Sequence, residues 1–109
     1  MQDALSRRIS FDTLHTVLRA VCAELPIARM EVFGSVARGE AGLNSDVDLM
    51  VEYLPGANAR LFEMGALKED LEDRLGCHVD LLSRRAVERS RNPYRRRAIL
   101  ANPVTLYAR

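Results

Sequence analysis

Two aspartates, Asp46 and Asp48, stand one residue apart in the stretch FGSVARGEAGLNSDVDL (residues 33–49), which also holds three glycines. Successive side chains of a strand alternate between faces. A strand over SDVDLMVEY therefore sets Asp46, Asp48, Met50 and Glu52 on one face, opposite Val47, Leu49 and Val51. The same alternation in CHVDLLS groups His78, Asp80 and Leu82. If the two strands are neighbours, Asp80 joins the pair. Three clustered carboxylates repel one another unless a cation neutralises them. Mg²⁺ suits such a cluster: it takes oxygen ligands, and in pairs about 3.5–4 Å apart it clamps both oxygens of a displacement at phosphorus.

Phosphate also needs donors. Gly34-Ser35, between a strand and a helical turn, offers backbone N–H groups with no side chain in the way, plus a hydroxyl. Gly39 lets the following segment turn back, while Arg38 reads as a solvent-facing residue rather than a phosphate ligand.

These residues need elements to position them. Leu14, Val17, Leu18, Val21, Cys22 and Leu25 follow the spacing of an amphipathic helix, with Ser10 as N-cap, Asp12 in the first turn and Pro26 as the stop. ARMEVFGS reads as a strand entering a glycine turn, VARGEAG as a helical turn or loop closed by Gly42, and SDVDLMVEY as a second strand. After the turn residues LPGAN, Leu61, Met64, Leu67, Leu71 and Leu75 mark a second long helix that Gly76 stops at C′. CHVDLLS is a third strand. Asn92-Pro93 caps a last helix to about Ala101, which Pro103 terminates. The order α-β-α-β-α-β-α predicts a small sheet flanked by helices, an α/β or α+β sandwich, with strand order and direction left open.

A chain of 109 residues suits a single domain over 1–109. Nearly half its residues are apolar and its charges are balanced, which argues against disorder. No apolar run approaches the roughly 20 residues that span a bilayer, and MQDALSRRISFD lacks a signal-peptide core, so the expected address is cytoplasmic. Cys22 and Cys77 lack metal-type spacing and read as buried thiols. The net charge of +1 hides an asymmetry: residues 84–97 hold seven arginines and one glutamate. That run reads as a solvated face, a nucleic-acid patch or a docking surface for an acidic partner. Docking is preferred over nucleic acid, because only Tyr94 is near for stacking.

Gly34-Ser35, ten intervening residues, Asp46-x-Asp48 and a later Asp80 together resemble the polymerase-β-type nucleotidyltransferase signature. More narrowly, FGSVARGEAGLNSDVDLMVEYLPG, GCHVDLLS and NPYRRRAIL…LYA resemble the minimal nucleotidyltransferase (MNT) family over residues from about 30 to 107. The resemblance implies a mixed sheet flanked by helices and transfer of a nucleoside monophosphate from an NTP, with ATP as substrate. It implies that Asp46 and Asp48 bind two Mg²⁺ ions, that Gly34-Ser35 hold the β- and γ-phosphates, and that Asp80 completes one metal site and helps deprotonate the acceptor hydroxyl.

Members of this family are often encoded beside a HEPN-domain toxin and act as antitoxins, in some cases by adenylylating a tyrosine of that toxin. The resemblance thus implies an antitoxin of this kind, whose acceptor surface comes from a partner or a homo- or hetero-oligomer. The alternative is a non-catalytic antitoxin that neutralises its partner by occlusion. Pro103 departs from the family pattern by breaking a longer final helix, which bears on docking and not on the catalytic set. Among other residues, His78 reads as a strand-start histidine making a structural hydrogen bond, with a role beside Asp80 as the competing reading, and Glu52 as a rim residue.

Overall fold

The computed structural model describes residues 11–34, 46–57 and 61–109. Ser10, Ser35, Arg38, Gly39 and the helical turn over VARGEAG with Gly42 lie outside the described residues. The first helix, α1, spans Phe11–Ala23 and β1 spans Ile27–Phe33. They are followed by β2 (Val47–Tyr53), α2 (Leu61–Leu75) and β3 (Val79–Ser83), then by α3 (Arg84–Glu88), α4 (Pro93–Leu100) and β4 (Val104–Ala108).

The strands form one mixed sheet in the order β3-β2-β1-β4. β1 is antiparallel to both β2 and β4, whereas β2 and β3 run parallel. The expected α/β class holds. The expected order stops one strand short, however: β4 follows Pro103 and pairs with β1, and α3 intervenes between β3 and α4. Five residues at the sheet edge, only Leu106 of them buried, leave little apolar alternation to read.

Helices α1 and α2 bury their apolar stripes against one face of the sheet. Leu14, Leu18, Val21 and Cys22 of α1 and Leu67, Leu71 and Leu75 of α2 share a core with Met30, Val32, Val47, Leu49, Val51, Val79 and Leu106. Leu25 lies beyond the end of α1 and is exposed, because i→i+3 bonds from Glu24 and Leu25 tighten the chain toward Pro26. Gly76 stops α2 as expected, with φ +69° and its N–H on the Glu72 carbonyl. Asn92 caps α4 by accepting bonds from the N–H groups of Tyr94 and Arg95.

The opposite face has a smaller cover. Met50, flanked by the core residues Leu49 and Val51, is fully buried but lies outside their cluster, as does Val87. Val87 belongs to α3, which packs on β2 and β3. Ser83, the last residue of β3, starts that helix by accepting the Ala86 N–H. Arg84 then reaches across to Glu31, a β1 residue only 3% exposed, and also bonds Glu88. One buried carboxylate thus pins α3 to the sheet.

Candidate active site

β1 brings Phe33 into register with Asp48, and β3 brings Asp80 into register with Asp48 from the other side. Val47, Leu49 and Val79 point into the core, so Asp48 and Asp80 project from the opposite face of adjacent strands. Neighbouring strands lie about 4.8 Å apart, which sets the spacing of the two residues.

Gly34 closes the arrangement. It follows β1 with φ +75°, a conformation that L side chains rarely adopt. A β-carbon on it would collide with Oδ2 of Asp48. The backbone at the end of β1 and the half-buried Asp48 carboxylate therefore meet face to face, which joins the glycine turn to the aspartates.

Asp46 stands just before β2, one residue outside the strand that the sequence placed it on. What fixes it is a bond from the Val47 N–H to the His78 carbonyl, 3.0 Å, which ties the entry of β2 to the entry of β3. Asp46, His78 and Asp80, all exposed, thereby present ligand atoms that lie within 4.8 Å of one another. Asp48 is not one of these three; it sits beside Asp80 and against Gly34.

His78 has both relations that the sequence offered as competitors. Its Nδ1 lies 2.9 Å from Glu72 Oε2, and its Nε2 lies 3.5 Å from Asp80 Oδ1. The same Glu72 oxygen accepts the Val79 N–H and the Lys68 ammonium, each at 2.9 Å. Those contacts, the Val79 bond foremost, hold the Glu72 carboxyl below its ordinary range. The sequence alone does not single out Glu72; its position seven residues before Val79 carries no signal. Burial, with Asp46 and Glu72 nearby, pushes the half-buried Cys77 thiol upward, which keeps it protonated and unreactive.

The donor set fits a divalent cation. Donors bound to one ion at about 2.0–2.2 Å lie ~3–4.4 Å from one another. Atoms already within 4.8 Å need only small side-chain turns to reach that geometry. The exposure of the three residues leaves room for a further ligand.

Other charged residues divide between scaffold and surface. Arg84 is held by Glu31 and Glu88, and Arg96 donates to the Ser90 carbonyl at 2.8 Å. Arg85, Arg89, Arg91, Arg95 and Arg97 are exposed, as is Tyr94. Glu52 sits at the rim, 3.4 Å from Arg29 Nε. No helix among the described residues is long and apolar enough to cross a membrane.

The family described as "Nucleotidyltransferase domain" matches residues 14–103. A Methanocaldococcus jannaschii protein provisionally named a protein adenylyltransferase is 37% identical over 73 residues, covering 67% of this chain and 70% of that protein. Protein adenylyltransferase MntA of Thermococcus cleftensis is 33% identical over 86 residues, covering 73% and 83%. A solved structure provisionally named a minimal nucleotidyltransferase superposes with a TM-score of 0.67 at 35% identity, over 89% of this chain and 96% of that one. A toxin–antitoxin crystal structure with AMP-PNP gives a TM-score of 0.67 at 20% identity, over 93% and 75%, a likeness of fold alone.

Proposed function

The chain belongs to the nucleotidyltransferase domain family, and from that premise we propose that it transfers AMP from ATP to a tyrosine hydroxyl of a HEPN-domain toxin, acting as its antitoxin. The observation that carries this reading is the meeting of Gly34 with Asp48 in register with Asp80. It sets side-chain-free backbone at the end of β1 beside paired carboxylates. Its similarity to protein adenylyltransferases favours AMP as the transferred group and protein as the acceptor. The toxin–antitoxin complex of the same fold favours a toxin as that protein.

In this reading Asp46, Asp48 and Asp80 would hold two Mg²⁺ ions. When bound, the ions supply positive charge that stabilises the developing negative oxygens and lowers the pKa of the acceptor hydroxyl. The chain's own groups do the rest. Backbone N–H groups at Gly34 and Ser35 hold the β- and γ-phosphates, and Asp80 accepts the acceptor's proton. The acceptor oxygen bonds to the α-phosphorus as the bond to the β-phosphate oxygen breaks, and pyrophosphate leaves.

Residues 1–109 act as one domain in this scheme, with the acceptor surface supplied by the partner. The exposed arginines of 84–97 offer an acidic partner a docking face. An Asp46→Ala/Asp48→Ala double variant separates catalysis from occlusion. Loss of toxin neutralisation with partner binding retained supports transfer. Full neutralisation by the double variant would establish occlusion instead.

A further inference from the structure

The geometry points to His78 as a nitrogen ligand that biases one metal position of this site toward a transition divalent ion, Mn²⁺ over Mg²⁺. The inference rests on the metal-dependent reading above and concerns which ion is held, not whether AMP is transferred.

The His78 ring stands between two carboxylates, with Nδ1 2.9 Å from Glu72 Oε2 and Nε2 3.5 Å from Asp80 Oδ1. Nε2, on the side of Asp80, is the nitrogen placed to meet an ion held by that carboxylate. Metal-bound histidines are oriented in this way: the second ring nitrogen donates to a carboxylate, which fixes the ring and raises its basicity. Glu72 is itself anchored. It takes the Lys68 ammonium one helical turn earlier and the Val79 N–H of the strand that carries Asp80. The chain Lys68–Glu72–His78 therefore braces the imidazole between α2 and β3, beside Asp80.

Asp46 completes the set, its oxygen within 4.8 Å of the His78 and Asp80 ligand atoms. Two carboxylates and one imidazole differ chemically from a carboxylate-only site. Oxygen donors suit Mg²⁺, Ca²⁺ and Mn²⁺, whereas imidazole nitrogen favours transition ions, whose affinity rises from Mn²⁺ to Cu²⁺. Mg²⁺ gains little from the nitrogen and dehydrates reluctantly. Asp48, directed at Gly34, remains for the position nearer the phosphates.

The test uses the full chain with metal alone. Mn²⁺ and Mg²⁺ affinities are measured by calorimetry, and Mn²⁺-bound protein is examined by pulsed EPR for nitrogen coupling. The expected result is imidazole coupling in the unmodified chain and tighter binding of Mn²⁺ than of Mg²⁺. His78→Gln should lose the coupling and weaken Mn²⁺ about tenfold or more, with Mg²⁺ changed less than about twofold; Glu72→Gln should weaken Mn²⁺ within the ~10–100-fold range of such outer partners. His15, exposed on α1, is the control, and its replacement should leave the coupling in place. Divalent binding without nitrogen coupling, or coupling that survives His78→Gln, overturns the inference and leaves the proposed function standing. Failure of the folded chain to bind either ion would overturn both.

Discussion

Gly34 and Asp48 occupy one another's space: Oδ2 of the aspartate lies where a β-carbon on residue 34 would have to be. The turn that would cradle phosphate and the carboxylate that would bind metal are thus one unit. The antiparallel pairing of Phe33 with Asp48 holds it together.

Gly34→Ala is expected to disturb chemistry more than folding. The left-handed φ of +75° costs a β-carbon about 1–2 kcal/mol. Displacing Asp48 by about 1 Å should lower transfer roughly 100-fold. Urea unfolding and AMP-transfer rates measured on the same preparation separate the two effects. A variant that transfers at the unmodified rate would show that the contact is dispensable.

The Glu31–Arg84 pair should behave as a buried ion pair whose halves are worth little apart. Glu31's side chain is 4% exposed, and Arg29, at 4.0 Å, compensates it only in part. Arg84→Met leaves that carboxylate without its main partner and is expected to cost about 3 kcal/mol in denaturant unfolding. Adding Glu31→Leu should restore most of the loss. A single-variant cost below about 1 kcal/mol would mean that the pair does not hold α3 to the sheet.

Cys22 gives the protein an alkaline limit. Burial pushes its thiol from 9.0 up to about 11, against a smaller opposing influence from Arg109. The folded state therefore retains the proton longer than the unfolded chain. The associated stability is full below pH 9, falls as pH rises through 9 to 11, and is lost above that. Relative to Cys22→Ala, the unmodified chain should lose on the order of 2 kcal/mol over this window. Unfolding curves at stepped pH measure it, and parallel curves for the two proteins would contradict it.

Local chemistry made much of this legible in the sequence. Asn92-Pro93 and Gly76 mark helix ends through side-chain capping and a left-handed φ, and both stand where expected. Leu54-Pro55-Gly56 turns as its residue types dictate, with the Ala57 N–H on the Leu54 carbonyl and Gly56 at φ +86°. Relations between distant segments were not legible. Alternation counts Met50 and Glu52 on one face with Asp48, but cannot tell that Met50 is fully buried while Glu52 stays partly exposed beside Arg29. Nor does anything near Glu31 announce Arg84, which closes the opposite face of the sheet. The parallel pairing that sets Asp80 beside Asp48 was a condition in the sequence and became a register in the structure.

One measurement decides whether the carboxylate site transfers AMP. The HEPN-domain toxin, Mg²⁺ and ATP labelled at the α-phosphate are supplied to the unmodified chain and to Asp48→Asn, with circular dichroism confirming that both are folded. The expected result is label on the toxin and released pyrophosphate with the unmodified chain, and at least about 1,000-fold less of both with Asp48→Asn. Equal labelling by the two proteins, or no label from the folded unmodified chain, would contradict it.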